Sequence, residues 1–293
     1  MIGGRVSQRY SKALRNTLRI LSRDRAGLVG LIIVLFFISL GTIGAMVVNY
    51  DPKGNPEEIY MPPSLKHPLG TDFQGRDVLA QIIYGTPSVL QVAFLAGALT
   101  TLIAVLAGFA AGFLGGRVDA TIMGIADFIL TIPQIPLFAV LSALIRFSDV
   151  SFLAILIASV SWPPLARAIR SQVLSIKEKE FIEVSRILGF NVSEIVFIEI
   201  MPNIMPYIAV NLVFASMNAI YAQVSLAYLG LVPFIGENWG IMLNRAWTFG
   251  AIFYEKSLFY IMAPIAAIVI LQTGLILLSR AMEAIFNPRI RAE

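Results

Sequence analysis

Cysteine is missing from the 293-residue sequence, and histidine occurs once, at His67. Without cysteine there is no disulfide framework, no thiolate metal site and no thiol nucleophile, and a lone imidazole suits a turn or a cap better than a metal centre. Charge is scarce too: Asp, Glu, Lys and Arg make up 14% of the chain, where soluble domains carry about a quarter. No GxxxxGK[ST] phosphate loop is present, so the chain is not expected to hydrolyse ATP or to bind a cofactor of its own. Neither GxSxG nor HExxH occurs, which removes the usual starting points for a polytopic membrane hydrolase.

What the sequence does have is apolar residues, 57% of the total, with a mean hydropathy of +0.79. That composition describes an all-α integral membrane protein. Gly27–Val48 is free of charge and as a helix would extend about 33 Å, enough for a hydrocarbon core of roughly 30 Å. It is too long for the core of a signal peptide and reads as a retained first transmembrane helix. Further apolar runs at Val89–Leu114, Ala120–Ile145, Phe152–Leu165, Tyr207–Leu231 and Ser257–Leu278 bring the expected total to six transmembrane helices. The resulting layout is a basic N-terminal segment 1–26, a first span 27–48, an outer loop 49–88, a five-helix core 89–280 that contains a loop at 171–203, and a tail 281–293.

The basic residues orient these spans. Arg5, Arg9, Lys12, Arg15, Arg19, Arg23 and Arg25 precede the first helix; Arg117, Arg167, Arg170, Lys177, Lys179 and Arg186 fall in loops on the same side, and Arg280, Arg289 and Arg291 end the chain there. The opposite side holds only Lys53, Lys66, Arg76, Arg146, Arg245 and Lys256. Such an excess predicts a plasma-membrane protein with both termini in the cytoplasm. The net charge of +4 then belongs to juxtamembrane clusters facing anionic lipid headgroups, and no nucleic-acid partner is implied.

One stretch interrupts the apolar pattern on the cytoplasmic side: EFIEVSRILGFNVSEIVFIEIMPN, Glu180–Asn203. Phe181, Val184, Leu188, Ile195, Phe197 and Ile198 alternate with Glu180, Glu183, Arg186, Glu194 and Glu199, the signature of short amphipathic surface helices. Gly189 and Asn191 mark a turn between them. Such a segment either lies on the lipid surface or offers a face to a partner.

The outer loop is rich in turn formers and leads into HPLGTDFQGRDVLAQIIYGTPSVL, His67–Leu90, where Asp77 can cap a helix that opens at Val78. Asp119 and Asp127 are eight residues apart and share a helix face near the cytoplasmic entry of the third span. They serve either as a polar tie between the core helices and the Glu180–Asn203 segment or as interfacial partners of Arg117 or a loop arginine. Pro133 and Pro136 should break or kink the third span, and Pro202 and Pro206 the junction into the fifth.

Several of these segments carry a family resemblance. Glu183, with Val184 and Ser185 where the motif has alanines, Arg186, Gly189, Phe190 and Pro202 resemble the EAA loop of ABC importer permeases. His67–Leu90, AGFLGGRVDATIMGIADFILTIPQIPLFAV (Ala111–Val140), AQVSLAYLGL with NWGIML, and MEAIFNPRIR are similar to the corresponding segments of the dipeptide/oligopeptide permease family, although members often carry an acid where Gln223 stands. The resemblance covers most of the chain. It implies a type I ABC importer permease fold with a cytoplasmic coupling helix, a second, related permease subunit in a heterodimer, two ATPase subunits that bind ATP and Mg, and an extracytoplasmic substrate-binding protein.

The implied cargo is short peptides, while permeases of similar appearance also serve oligosaccharides and nickel chelates. Uncharged spans predict a pathway of little charge selectivity, lined by residues such as Ser216, Asn218, Gln223 and Ser225 of span five. A stand-alone secondary transporter is disfavoured, because no internal repeat is evident and the spans other than the third lack charge in their cores.

Overall fold

The computed structural model describes residues 24–144, 149–232 and 236–286. The basic segment at 1–23, Arg146 and the tail with Arg289 and Arg291 lie outside the described residues. Among those described, four helices are long and apolar enough to cross a membrane, and two bent helix pairs raise the number to six.

Helix α1 (Arg25–Ser39) opens at Asp24, whose carboxylate accepts the Ala26 amide at 3.1 Å, and runs on through a π-helical turn at Leu40–Gly44 to Val47. Helix α2 (Val78–Leu114) is capped by Asp77, which accepts the Ala80 amide at 2.7 Å. It takes residues 78–88 from the expected outer loop and absorbs Pro87 in its interior. In the turn before that proline the Thr86 hydroxyl and the Trp239 indole both donate to the Ile82 carbonyl.

The third span is broken. Helices α3 (Gly116–Thr131) and α4 (Gln134–Leu144) meet at 89°, because Ile132, preceding Pro133, is held extended. Pro136 causes no second break; in the first turn of α4 no backbone donor is required of it. The fourth span differs more from expectation. Helices α5 (Val150–Ser161) and α6 (Pro163–Lys177) join at a 50° bend, and α6 carries Arg167, Arg170 and Lys177, which the sequence reading placed in a loop. Pro163 starts α6 at a helix position that tolerates proline, Ala166, Ile169 and Val173 bury one face, and the charges occupy the other.

After α7 (Glu180–Ile187), a single continuous helix spans Val192–Tyr228, with a π-helical stretch at Ile195–Ile200 leading into α8 (Met201–Tyr228). The expected break at Pro202 and Pro206 is therefore absent. The wider π turn ahead of Pro202 accommodates the missing donor, and the Asn203 side-chain amide donates to the Glu199 carbonyl at 2.7 Å. Helices α9 (Trp239–Thr248) and α10 (Leu258–Phe286) complete the described chain.

Helix α2 is the axis of the bundle, against which α5, α6 and α8 pack, while α1 is strapped to α10. The helices approach through small residues, since lipid tails are no less apolar than leucine and backbone proximity must supply the attraction. A Cβ on Gly108 would meet the Ala166 carbonyl at 2.7 Å, and one on Gly97 would collide with Ser216. Two poles result. One, built on Phe109, Ile169, Ile182 and Ile200, carries α3, α6 and α7; the other, built on Phe37, Trp239 and Tyr260, carries the 49–77 connector and α9. Full burial of a side chain such as Ile182 contributes on the order of 1.5–3 kcal/mol.

Candidate functional site

Helix α7 is amphipathic in an unusual sense, with apolar side chains on both faces. Ile182 and Ser185 are buried on the inner face, where the Ser185 hydroxyl donates back to the Phe181 carbonyl at 3.0 Å. Phe181, Val184, Ile187 and Leu188 point outward, Ile187 with 79% of its surface exposed. Glu180 and Glu183 in the first turn and Arg186 in the last match the helix dipole and keep this short element wound.

Gly189, at φ +84°, turns the chain, and Asn191 and Glu194 then form a reciprocal capping box with hydrogen bonds of 2.9 and 2.8 Å. Phe190 and Val192 extend the exposed apolar patch, and Pro202 is exposed in the first turn of α8. An apolar surface rimmed by charges is the mark of a protein–protein or a membrane interaction site.

Behind α7 lies a set of charged ties. Arg170 grips both oxygens of Asp119 at 2.5 Å, and Arg167 pairs with Asp127, so both aspartates of α3 are joined to α6 rather than to Arg117. Lys177, in the last turn of α6, donates to the Phe113 carbonyl at 2.7 Å and sits over the Phe113 ring. Through these contacts the helix that leads into α7 is fastened to the end of α2 and to the first half of the broken span.

Further along the bundle a cleft of about 490 Å³ opens between α8, α4, α5, α6 and the Thr100 turn of α2. Asn218 and Ser225 line it. Ser216 and Gln223, grouped with them in the expected pathway lining, do not line this cleft: Ser216 abuts Gly97, and Gln223 is buried with its amide donating to the carbonyl and hydroxyl of Ser88 at 3.3 Å. Helical period explains the division. Asn211, Asn218 and Ser225 recur every seven residues on one face, whereas Ser216 and Gln223 share the opposite face against α2. Gln134 and Asn211 are lining residues that the sequence reading missed; extending the Asn218–Ser225 spacing by one heptad would have found Asn211, while Gln134 depends on the 89° break.

At the other pole the charges are buried. The Asp72 carboxylate, fully enclosed, accepts the Gln74 and Arg76 amides, the Arg76 guanidinium at 2.7 Å and the Gln81 carboxamide at 3.0 Å. Arg76 also lies 3.6 Å from Glu237, which pairs with Arg245 and accepts the Tyr50 hydroxyl at 2.6 Å. Burial draws the Arg76 guanidinium down, but its hydrogen bonds to Asp72 and the negative charge of Asp72, Tyr50 and Glu237 together outweigh that and leave it above its ordinary value. Burial, and then Glu237, push the Tyr50 phenol upward. Phe73 stacks on Phe249 at 4.0 Å and Tyr60 on Tyr254 at 5.2 Å, and His67 contacts the capping Asp77 at 2.7 Å.

Comparison with known proteins places these features in context. The family described as "Binding-protein-dependent transport system inner membrane component" matches residues 103–292, and that described as "N-terminal TM domain of oligopeptide transport permease C" matches residues 13–63. The oligopeptide transport system permease protein OppC of Bacillus subtilis is 30% identical over 270 residues, which cover 92% of this chain and 87% of that protein. The dipeptide transport system permease protein DppC of the same organism is 31% identical over 230 residues, 77% of this chain and 71% of that one. DppC of Alkalihalophilus pseudofirmus is 29% identical over 282 residues, 95% and 90% of the respective chains.

Proposed function

From the premise that this multi-pass membrane protein belongs to the family of binding-protein-dependent transport system inner membrane components, we propose that it is the permease subunit of an ATP-driven importer of dipeptides or oligopeptides. Membership in this family makes it a transport subunit that works in a complex with others. In our reading it forms half of the pathway beside a second, related permease. The α7 pole faces the cytoplasm and two ATPase subunits that bind ATP and Mg; the opposite pole faces a substrate-binding protein.

The observation that carries this reading is the outward apolar face of α7. Phe181, Val184, Ile187 and Leu188 are presented by a helix whose inner face is fixed by Ile182 and Ser185, so a partner seated there would move the helix as a body. Glu183 and Arg186 supply a charged rim that orients such a partner. Movement of the ATPases on nucleotide binding and hydrolysis then passes from α7 into α6. The Arg170–Asp119 and Arg167–Asp127 pairs carry it to α3, and the Ile132–Pro133 break carries it to α4 and the cleft.

The test is co-purification of the ATPase subunits with Val184→Glu and Glu183→Lys variants, together with ATP-driven peptide uptake in proteoliposomes. Loss of both, with the two permeases still associated, is the expected result. Retention of ATPase binding and of uptake in both variants would remove α7 as the docking element.

A further inference from the structure

The cleft beside α8 has a chemical character that the peptide-permease reading does not by itself require. None of its lining residues is ionisable at neutral pH, yet it displays three carboxamides, Gln134, Asn211 and Asn218. Asn211 donates through its nitrogen to the Tyr207 carbonyl at 2.9 Å, which leaves its oxygen available as an acceptor. Gln134 and Asn218 are exposed, and neither side chain has a hydrogen-bond partner among the described residues.

Asn218 lies about 15 Å along the helix from the end of α8, half the thickness of a hydrocarbon core of roughly 30 Å, and would sit near mid-depth if that end marks the core's edge. A bare carboxamide facing lipid at that depth costs several kcal/mol, so this face meets water, protein or cargo. The lining on α8 runs from Tyr207 to Leu226, about 28 Å by helical rise, and thus follows the helix axis as a track instead of enclosing a single spot.

A carboxamide offers one donor group and one acceptor without charge, the same complement as a peptide bond. Building on the permease reading above, we propose that Gln134, Asn211 and Asn218 form a backbone-reading station in the passage. They hold the peptide groups of an oligopeptide in transit and leave its side-chain charge unselected. An extended peptide exposes N–H and C=O groups at every residue, so the same three side chains serve any sequence. A carboxylate or ammonium in their place would discriminate by charge, and the cleft has neither.

The experiment uses the complete complex in proteoliposomes with one binding protein and three probe tripeptides, Ala-Lys-Ala, Ala-Ala-Ala and Ala-Glu-Ala. Relative uptake is compared between the unaltered chain and the Asn218→Asp, Asn218→Lys and Asn218→Leu variants. Asn218→Asp is expected to raise uptake of the basic probe and lower that of the acidic probe by roughly tenfold each against Ala-Ala-Ala, shifting their ratio by about two orders of magnitude, and Asn218→Lys to shift it as far the other way, the order set by charges roughly 10 Å apart at an effective dielectric near 20. Asn218→Leu is expected to slow all three probes together, with subunit stoichiometry unchanged.

Ratios that do not move in either charged variant would overturn the station while leaving the permease reading intact. Loss of the second permease from the Asn218→Leu complex would also overturn it, by assigning the carboxamide to the subunit interface. Absence of ATP-driven uptake of any probe by the unaltered complex would overturn the permease reading and, with it, the station.

Discussion

The two poles of this bundle use charge in opposite ways. At the α7 pole the ion pairs are at least partly solvated, with 47% and 58% of the Arg167 and Asp127 side chains exposed, and large apolar residues face outward. At the connector pole Asp72 and Arg76 are 0% and 4% exposed, every Asp72 oxygen is hydrogen-bonded, and the aromatic rings stack on one another. One end encloses its charges within the chain; the other leaves them in contact with water. Exposed pairs can break and re-form at little cost, whereas a buried pair that loses a member leaves an uncompensated charge.

The most severe way to challenge that contrast is Arg76→Met. It strands the Asp72 carboxylate in the interior and is expected to cost about 3–5 kcal/mol, read as a large drop in the thermal midpoint of the detergent-solubilised protein. A midpoint like that of the unaltered protein would mean that the connector pole is not held by its buried charges.

Gly189→Val probes the other end. Gly189 has open space around it but a φ of +84°, so valine is penalised by its own backbone, by about 1–2 kcal/mol, and not by a clash. The expected outcome is a roughly tenfold weaker hold on the ATPase subunits with little change in melting, since the turn lies outside the buried clusters. If melting collapsed as well, the α7 pole would be structural in the same sense as its opposite.

Tyr50→Phe removes a single hydrogen bond to Glu237 and is expected to cost about 1 kcal/mol at neutral pH. Because burial and Glu237 raise the Tyr50 phenol, the folded state favours its protonated form. Its contribution is therefore complete below the ordinary phenol value of about 10 and is lost as pH climbs beyond it. Melting curves at pH 8 and pH 11 should show the difference between Tyr50→Phe and the unaltered chain narrowing at the higher pH.

Arg170→Ala is expected to cost about 1 kcal/mol in stability, the pair being only half-buried. Its effect should appear instead as ATP hydrolysed per peptide moved, which is expected to rise. The swap Arg170→Asp with Asp119→Arg should bring that ratio back. Failure of the swap to restore it would deny the pair a role in transmission.

Much of this organisation could be read from composition and period. The apolar runs located the long helices, Asp77 announced the start of α2, and Pro133 the break between α3 and α4. The α7 turn was legible because Gly189 and Asn191 have backbone preferences of their own. What stayed hidden was long-range. The partners of Asp119 and Asp127 are some fifty and forty residues away, and α6 looked like a loop because its arginines outweigh its buried face in any local average. The division of α8 into a cleft face and a packing face required knowing which side α2 occupies; side-chain polarity alone groups Ser216 and Gln223 with Asn218 and Ser225.

The bend at Trp162 and Pro163 sets a mechanical ratio for the molecule. Helix α6 is 15 residues long, a rod of about 22 Å that starts at the bend, packs along α2 and carries α7 beyond its far end, where Lys177 ties it to α2. If α6 and the end of α2 fastened to it swing together by about ten degrees about the bend, the far end of α6 moves by about 4 Å, while residues one turn from the bend, Arg167 among them, move by about 1 Å. Under the proposed coupling a coarse stroke at the surface would thereby be geared down to a fine one at the cleft, where a displacement of that size is enough to make or break a hydrogen bond.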